Sequence, residues 1–255
     1  MSDAFTWTKK LSLSGLASSM TYTVWVNATD HCGSGLYTRK WYTFTTFSDS
    51  APPTTTISFT GTLGENSWYI SPVMITLTAT DDVTGVDYTM YKLDSGSWII
   101  YSIPFTVSDD SSHMIEYYSV DNNGNTETVK SADFKIDQMK PTTTHTFTGD
   151  AGNNGWYFNM YFLLNTIDNT SGVDYTYYNI DDAGWNLYTG LVIITTEGTH
   201  SLKYYSIDEA GNIESVNGPF TFKLDSTSPE ISIAKLDIDL FTIKFIAQVS
   251  DEVSG

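Results

Sequence analysis

The chain has 255 residues, 30 acidic against 12 basic, giving a formal net charge of -18, yet only 16% of its residues are charged. That balance excludes a nucleic-acid binder, whose phosphates select basic surfaces, and a protein held on anionic lipid. With 40% hydrophobic and 15% aromatic residues, the sequence is not a disordered polyelectrolyte either.

Cys32 is the one cysteine, so there is no intrachain disulfide, and modules of this chain must fold on hydrophobic cores alone. No run approaches the roughly 18 apolar residues of a membrane span. Met1-Ser2-Asp3 does not open a signal peptide, so the export signal of a secreted form is expected outside these residues.

In chain order, the first predicted strands are Leu11 to Leu16 and Thr21 to Asp30, the latter with Tyr22, Val24, Val26 and Ala28 alternating with Thr23, Trp25 and Asn27. Period-2 alternation marks a half-buried strand, and Trp41 to Thr46 reads as its neighbour. Residues 1–48 resemble the second half of a fibronectin type III domain, with Tyr22 at the tyrosine-corner position. Ser48 to Pro53 is a polar linker ending in two prolines, which cannot continue a sheet ladder.

After the linker the sequence repeats itself. Pro53-Thr54-Thr55-Thr56 returns as Pro141-Thr142-Thr143-Thr144, Trp68-Tyr69 as Trp156-Tyr157, and Gly85-Val86-Asp87-Tyr88 as Gly172-Val173-Asp174-Tyr175. Tyr117 to Glu127 returns as Tyr204 to Glu214, and the spacing is 87 or 88 residues throughout. A fixed period means stacked copies of one unit, here residues 54–137 and 142–225. Residues 229–255 begin a third copy, with Asp251 to Gly255 aligned on Asp81 to Gly85. An arbitrary cut in a long array, or strand exchange between neighbouring chains, accounts for incomplete units at the two ends.

Within the first copy, strands are predicted at Thr55 to Thr60, Val73 to Ala79, Tyr88 to Leu93, Trp98 to Tyr101, Phe105 to Val107, His113 to Val120 and Ala132 to Ile136. Asp94-Ser95-Gly96-Ser97 is a hairpin turn. About seven short strands with no helical periodicity predict an all-β fold of tandem Ig-like and fibronectin III-like β-sandwiches. Aligning the copies places Ile115, Tyr117 and Ser119, with Leu202, Tyr204 and Ser206, on the core face. His113 and His200 fall at the tyrosine-corner position, where a hydrogen-bonded structural role is expected.

The two full copies resemble a bacterial and archaeal Ig-like repeat first defined in a spirochaete outer-surface protein. The resemblance rests on Ser171-Gly172-Val173, Tyr178 and Asp181 with Trp185 and Tyr188, Glu197-Gly198 with His200, and Tyr205-Ser206 through Asp208, Ala210-Gly211-Asn212 and Glu214. The first copy departs at Ser111-Ser112 and at Asn123. The resemblance implies surface-exposed tandem modules, some adhesive, located outside the cell or on its surface. Other surface or filament subunits, or an extracellular glycan or protein, are then the expected partners.

Nothing in the sequence carries catalysis. His31, His113, His145 and His200 lack zinc-site spacing, and there is no nucleophile elbow, phosphate loop or dinucleotide fingerprint. In extended chain His31 and Cys32 point apart. The chain is therefore expected not to be an enzyme.

Calcium is the candidate cofactor, weighed against a bare turn. In Ig-like topology the B-C and F-G loops leave the sandwich at one end, which gathers Asp81, Asp82, Asp121, Asn125 and Glu127 in the first copy. In the second copy the same end gathers Asp168, Asn169, Asp208, Asn212 and Glu214, with Asp137 arriving from the preceding strand. Ca²⁺ takes six to eight oxygens of this kind. The alternative reading is a bare tight turn, since Gly supplies positive φ and Asp or Asn bonds its own backbone. Trp25, Trp68, Tyr118, Trp156 and Tyr205 could stack on sugars or fill cores. Asn27 and Asn169 match the glycosylation acceptor pattern.

Overall fold

The structure, a computed structural model, describes residues 12–16, 20–29, 37–46, 49–239 and 242–253. His31 and Cys32 lie outside the described residues, as do the side chains of Asn27 and Ala28. The strand expected at Leu11 to Leu16 is not formed over its described residues 12–16. Strands make up almost all of its regular structure: β1 (Thr21–Thr29), β2 (Tyr37–Thr45), β3 (Thr54–Thr60), β4 (Trp68–Tyr69), β5 (Val73–Thr80), β6 (Val86–Leu93), β7 (Ile99–Tyr101), β8 (Phe105–Val107), β9 (Ser111–Asp121) and β10 (Lys130–Ile136). Then follow β11 (Thr142–Ala151), β12 (Trp156–Ile167), β13 (Val173–Ile180), β14 (Asn186–Leu187), β15 (Val192–Ile194), β16 (Gly198–Asp208), β17 (Asn217–Leu224), β18 (Glu230–Asp239) and β19 (Thr242–Ser250). The one helical element among the described residues is a 3-10 turn at Asn153–Gly155. The fold is all-β, as the sequence predicts.

Contact density divides the chain into two compact units, residues 1–58, 76–104 and 115–132, and residues 59–75, 105–114 and 133–255. In the first unit β1 and β2 form a two-stranded antiparallel sheet, Thr21 opposite Thr45. Tyr22 and Val24 are half-buried, whereas Val26 is 50% exposed, so the expected inward face is only partly covered. On the other face Trp25 and Trp41 lie 5.8 Å apart and exposed. Further on, β6 pairs antiparallel with β9 and, across a loop that opens with a tight turn, with β7. Asp94 and Ser95 both have positive φ there, as a type I′ turn requires.

In the second unit β11 to β17 build one continuous sheet, ordered β11-β12-β17-β16-β13-β14 with β15 also on β12. The long strand β12 makes the continuity: its start, Trp156 and Tyr157, runs parallel to β17, while Met160 to Ile167 runs antiparallel to β11. The sheet folds back on itself around that strand. Met160, Phe162, Leu164 and Ile194 from one layer meet Leu202, Tyr204, Phe222 and Leu224 from the other in a single core. Full burial of one such side chain contributes roughly 1.5 to 3 kcal/mol. In the first copy β3-β5-β8 and β4-β10-β9-β6-β7 are separate sheets.

Alternation along β9 and β16 is as predicted, with Ile115, Tyr117, Ser119, Leu202, Tyr204 and Ser206 buried. The two serines organise hydroxyl clusters. Ser119 Oγ lies 2.6 Å from Thr55 Oγ1 and 2.7 Å from Thr89 Oγ1, and Ser206 Oγ lies 2.6 Å from Thr143 Oγ1 and 2.8 Å from Thr176 Oγ1. Buried hydroxyls satisfied in this way avoid the desolvation cost of an orphaned polar group. The corner histidines are structural as well: the Nε2 of His113 donates to the Asp109 carbonyl at 2.8 Å, and that of His200 to the Thr196 carbonyl at 2.9 Å.

Candidate metal centre

The F-G turns, Asp121 to Asn125 after β9 and Asp208 to Asn212 after β16, form as their glycines dictate, and the B-C loops are those after β5 and β12. Gly124 and Gly211 adopt φ of 88° and 89°, and their N–H groups donate to the carbonyls of Asp121 and Asp208. Asp121 Oδ1 accepts from the N–H of Asn123 and Asn125, and its Oδ2 from the Asn125 side chain at 2.7 Å. Asp208 accepts from the Asn212 N–H at 2.7 Å and side chain at 2.9 Å. These aspartates are therefore turn residues in full.

They are also members of clusters. One carboxylate oxygen from each of Asp49, Asp81 and Asp121 lies within 4.8 Å of the others, and so do those of Asp137, Asp168 and Asp208. Each triad falls within one compact unit. Asp81 is fixed by a nest of backbone donors, its Oδ1 accepting from Val83, Thr84 and Gly85, and Asp168 Oδ1 accepts likewise from Thr170 and Gly172. Asp49 accepts from the Ala51 N–H and the Thr84 hydroxyl, and Asp137 from the N–H of Met139 and Ser171. The turn amides close the arrangement: Asn123 and Asn125 donate to the Asp49 carbonyl, and Asn212 to the Asp137 carbonyl.

Asp49, Asp121, Asp137 and Asp208 are buried, and none of the six carboxylates has an ion pair among the described residues. Burial raises the Asp208 carboxyl, bonds from Asn212 lower it, and the charges of Asp137 and Asp168 raise it again, leaving it above its ordinary value. Burial pulls Asp121 the same way, but the hydrogen bonds from Asn125, Asn123 and Gly124 outweigh it and hold that group low. The donors are all hard oxygens with no His or Cys, a set that fits Ca²⁺ or Mg²⁺ and not a thiophilic metal.

Of the other residues singled out from sequence, Asp82 and Asn169 are exposed and outside both triads. Glu127 and Glu214 stand apart too. Glu127 Oε1 accepts from the Thr55 N–H at 2.9 Å and pairs with Lys130, and Glu214 accepts from the N–H and hydroxyl of Thr143 and from Asn217. Both glutamates tie the first strand of their copy to the turn after β9 or β16. Sequence reasoning missed Asp49, although a signal was present. Asp-x-x-x-Pro occurs at Asp49-Pro53, Asp137-Pro141 and Asp225-Pro229.

The aromatic candidates divide. Trp68 is buried under the Lys135 ammonium, 4.6 Å from the ring, and Trp156 is half-buried beneath Lys223. Tyr118 and Tyr205 are packed edge-on by Trp98 and Trp185. Trp25 alone among the five is exposed, at 57%.

The sheets define an all-β protein. No family model matches the sequence, and no curated protein is significantly similar to it. Among solved structures, it is similar to the fibronectin(III)-like modules of Clostridium thermocellum CbhA, at 12% identity and a TM-score of 0.31 over 66% of this chain and 93% of that one. It is also similar to a structure from a 1.5-MDa bacterial ice-binding adhesin studied for host cell surface retention, at 11% identity and a TM-score of 0.32 over 73% and 71%. At such scores the fold assignment rests on the sheets themselves. No helix among the described residues is long and apolar enough to cross a membrane.

Proposed function

We propose that this chain is a non-catalytic segment of an extracellular or cell-surface protein, a structural or adhesive array of β-sandwich modules at residues 54–137 and 142–225. A fibronectin III-like half-module at 1–48 precedes them, and a third copy begins at 229. The observation that carries the reading is the recurrence of the Asp triad at the same three places in both copies: before the first strand, in the B-C loop and in the F-G turn. Each triad takes one Ca²⁺, which ties the entering linker to the two loops at that end and limits bending there. Calorimetric titration with Ca²⁺ is expected to find two sites, one lost in Asp81→Asn and the other in Asp168→Asn. Absence of binding heat in the unaltered chain would remove the cation from the account.

A second reading, a glycan- or protein-binding accessory module of a secreted enzyme, is favoured in its glycan form by one feature, the exposed pair Trp25 and Trp41. Retention on immobilised polysaccharide that is lost in Trp25→Ala would establish it in place of the spacer.

A further inference from the structure

The loop before β4 does more than connect strands. Gly64 N–H donates to the Trp68 carbonyl, and Asn66 and Ser67 take positive φ, which presents the Glu65 N–H and the Asn66 amide outward. Onto these groups sits the turn of the second copy. Glu65 N–H donates to the Ala210 carbonyl at 2.9 Å, and Asn66 Nδ2 donates to the Glu209 carbonyl at 3.0 Å and to its carboxylate at 2.8 Å. The fit requires small residues. A Cβ on Gly64 would lie 2.2 Å from the Ala210 carbonyl oxygen, and Ala210 is fully buried.

The second copy builds the same loop. Gly152 N–H donates to the Trp156 carbonyl, Asn154 and Gly155 take positive φ, and Trp156 and Tyr157 run parallel to β17 as Trp68 and Tyr69 run parallel to β10. Gly152, Asn153 and Asn154 stand where Gly64, Glu65 and Asn66 stand, 88 residues earlier. Here no such turn is seated on the loop among the described residues. Asn153 and Asn154 are exposed, and neither the Asn153 N–H nor the Asn154 side chain has a hydrogen bond among the described residues. A Cβ at Gly152 would meet Phe158 and the Trp156 carbonyl but no incoming group. Phe158, at the position of half-buried Ile70, is 59% exposed.

We infer that Gly152–Gly155, flanked by Phe158, is the receptor half of a clamp whose partner is the Asp-x-Ala-Gly-Asn turn of a further sandwich of the same kind, continuing from β18 and β19. That partner is already begun in the chain. Asp225 Oδ1 accepts from the Thr227 N–H as Asp137 Oδ1 does from Met139, and Asp251 Oδ1 accepts from Val253 as Asp168 Oδ1 does from Thr170. Asp225 and Asp251 thus stand at the repeat positions of two of the three aspartates of a next triad, and the third position belongs to the turn that the loop at Gly152–Gly155 fits. The inference rests on the tandem-array reading, but the clamp is made by backbone and amide groups and needs no cation.

The test appends residues 173–225 after Gly255, so that the third copy is completed from the second, and follows amide hydrogen exchange in EDTA. Exchange at Asn153 N–H is expected to slow on the order of tenfold or more relative to the unextended chain, and to revert in Gly152→Ala. A folded third copy with unchanged exchange at Asn153 would overturn the clamp, while leaving the calcium titration of the parent chain to judge the array separately. Should the appended segment not fold, a cyclic peptide of the sequence Tyr205 to Glu214 is titrated into the unextended, isotope-labelled chain. Shifts confined to residues 152–158 support the clamp, and no shifts at millimolar peptide overturn it.

Discussion

Glu127 shows how one side chain can be read two ways from sequence. Its place beside Asp121 and Asn125 suggests a ligand, but the structure turns it toward the Thr55 N–H and the Lys130 ammonium. Burial pushes its carboxyl up, and Lys130 and Thr55 more than offset that, so it lies below its ordinary value. A carboxylate depressed in the fold contributes stability above its unfolded pKa and loses it as pH falls through the folded value. Glu127→Gln is therefore expected to cost about 2 kcal/mol near neutral pH, the range for charge-assisted bonds. In urea unfolding across pH, that difference should close below the ordinary glutamate range; a gap that persists in acid would contradict the assignment. The triad aspartates of the F-G turns are legible in the sequence because Gly and Asn at fixed offsets mark the turn. Asp49 is marked only by the Asp-x-x-x-Pro recurrence, and its place in the triad emerges when its carbonyl is seen to accept from Asn123 and Asn125.

At the scale of elements, alternation is a sufficient guide wherever one face of a strand is buried. Val73, Ile75 and Leu77 are buried as their period predicts, and β9 and β16 follow suit. The exception is β4, two residues long and held by parallel pairing to β10, too short to show any period and set by a partner about 67 residues away. From sequence, Trp68 and Trp156 are therefore candidates for an exposed stack, whereas pairing to β10 and β17 places them under Lys135 and Lys223. In β12, Phe162 is fully buried where both layers meet, and Phe162→Ala is expected to destabilise the second copy by about 3 to 5 kcal/mol in denaturant unfolding. A cost far below that range would mean the layers do not share a core. The turns allow a cleaner test. Gly124 has φ of 88° with no atom within 4 Å of where a Cβ would stand, so Gly124→Ala should cost only the left-handed backbone penalty, about 1 to 2 kcal/mol. An alanine tolerated there without cost would contradict the turn.

For the whole molecule, the 87- or 88-residue period is visible in the sequence, and the recurrence of β3 to β10 as β11 to β17 gives it physical form. What the period cannot convey is that three aspartates from separate stretches converge twice, since convergence depends on the end of the sheet at which each loop emerges. Three carboxylates within 4.8 Å repel one another, and at Asp208 the charges of Asp137 and Asp168 add to the larger effect of burial in raising its pKa. A divalent cation converts that repulsion into attraction. Thermal unfolding in EDTA, in millimolar Mg²⁺ and in millimolar Ca²⁺ decides whether the triads hold a cation. At 100 times its Kd, Ca²⁺ should add about 2.7 kcal/mol to each module that binds it, and Asp81→Asn with Asp168→Asn together should abolish the gain. A melting temperature that Ca²⁺ leaves unmoved, or raises equally in the double variant, would contradict a cation held by the triads.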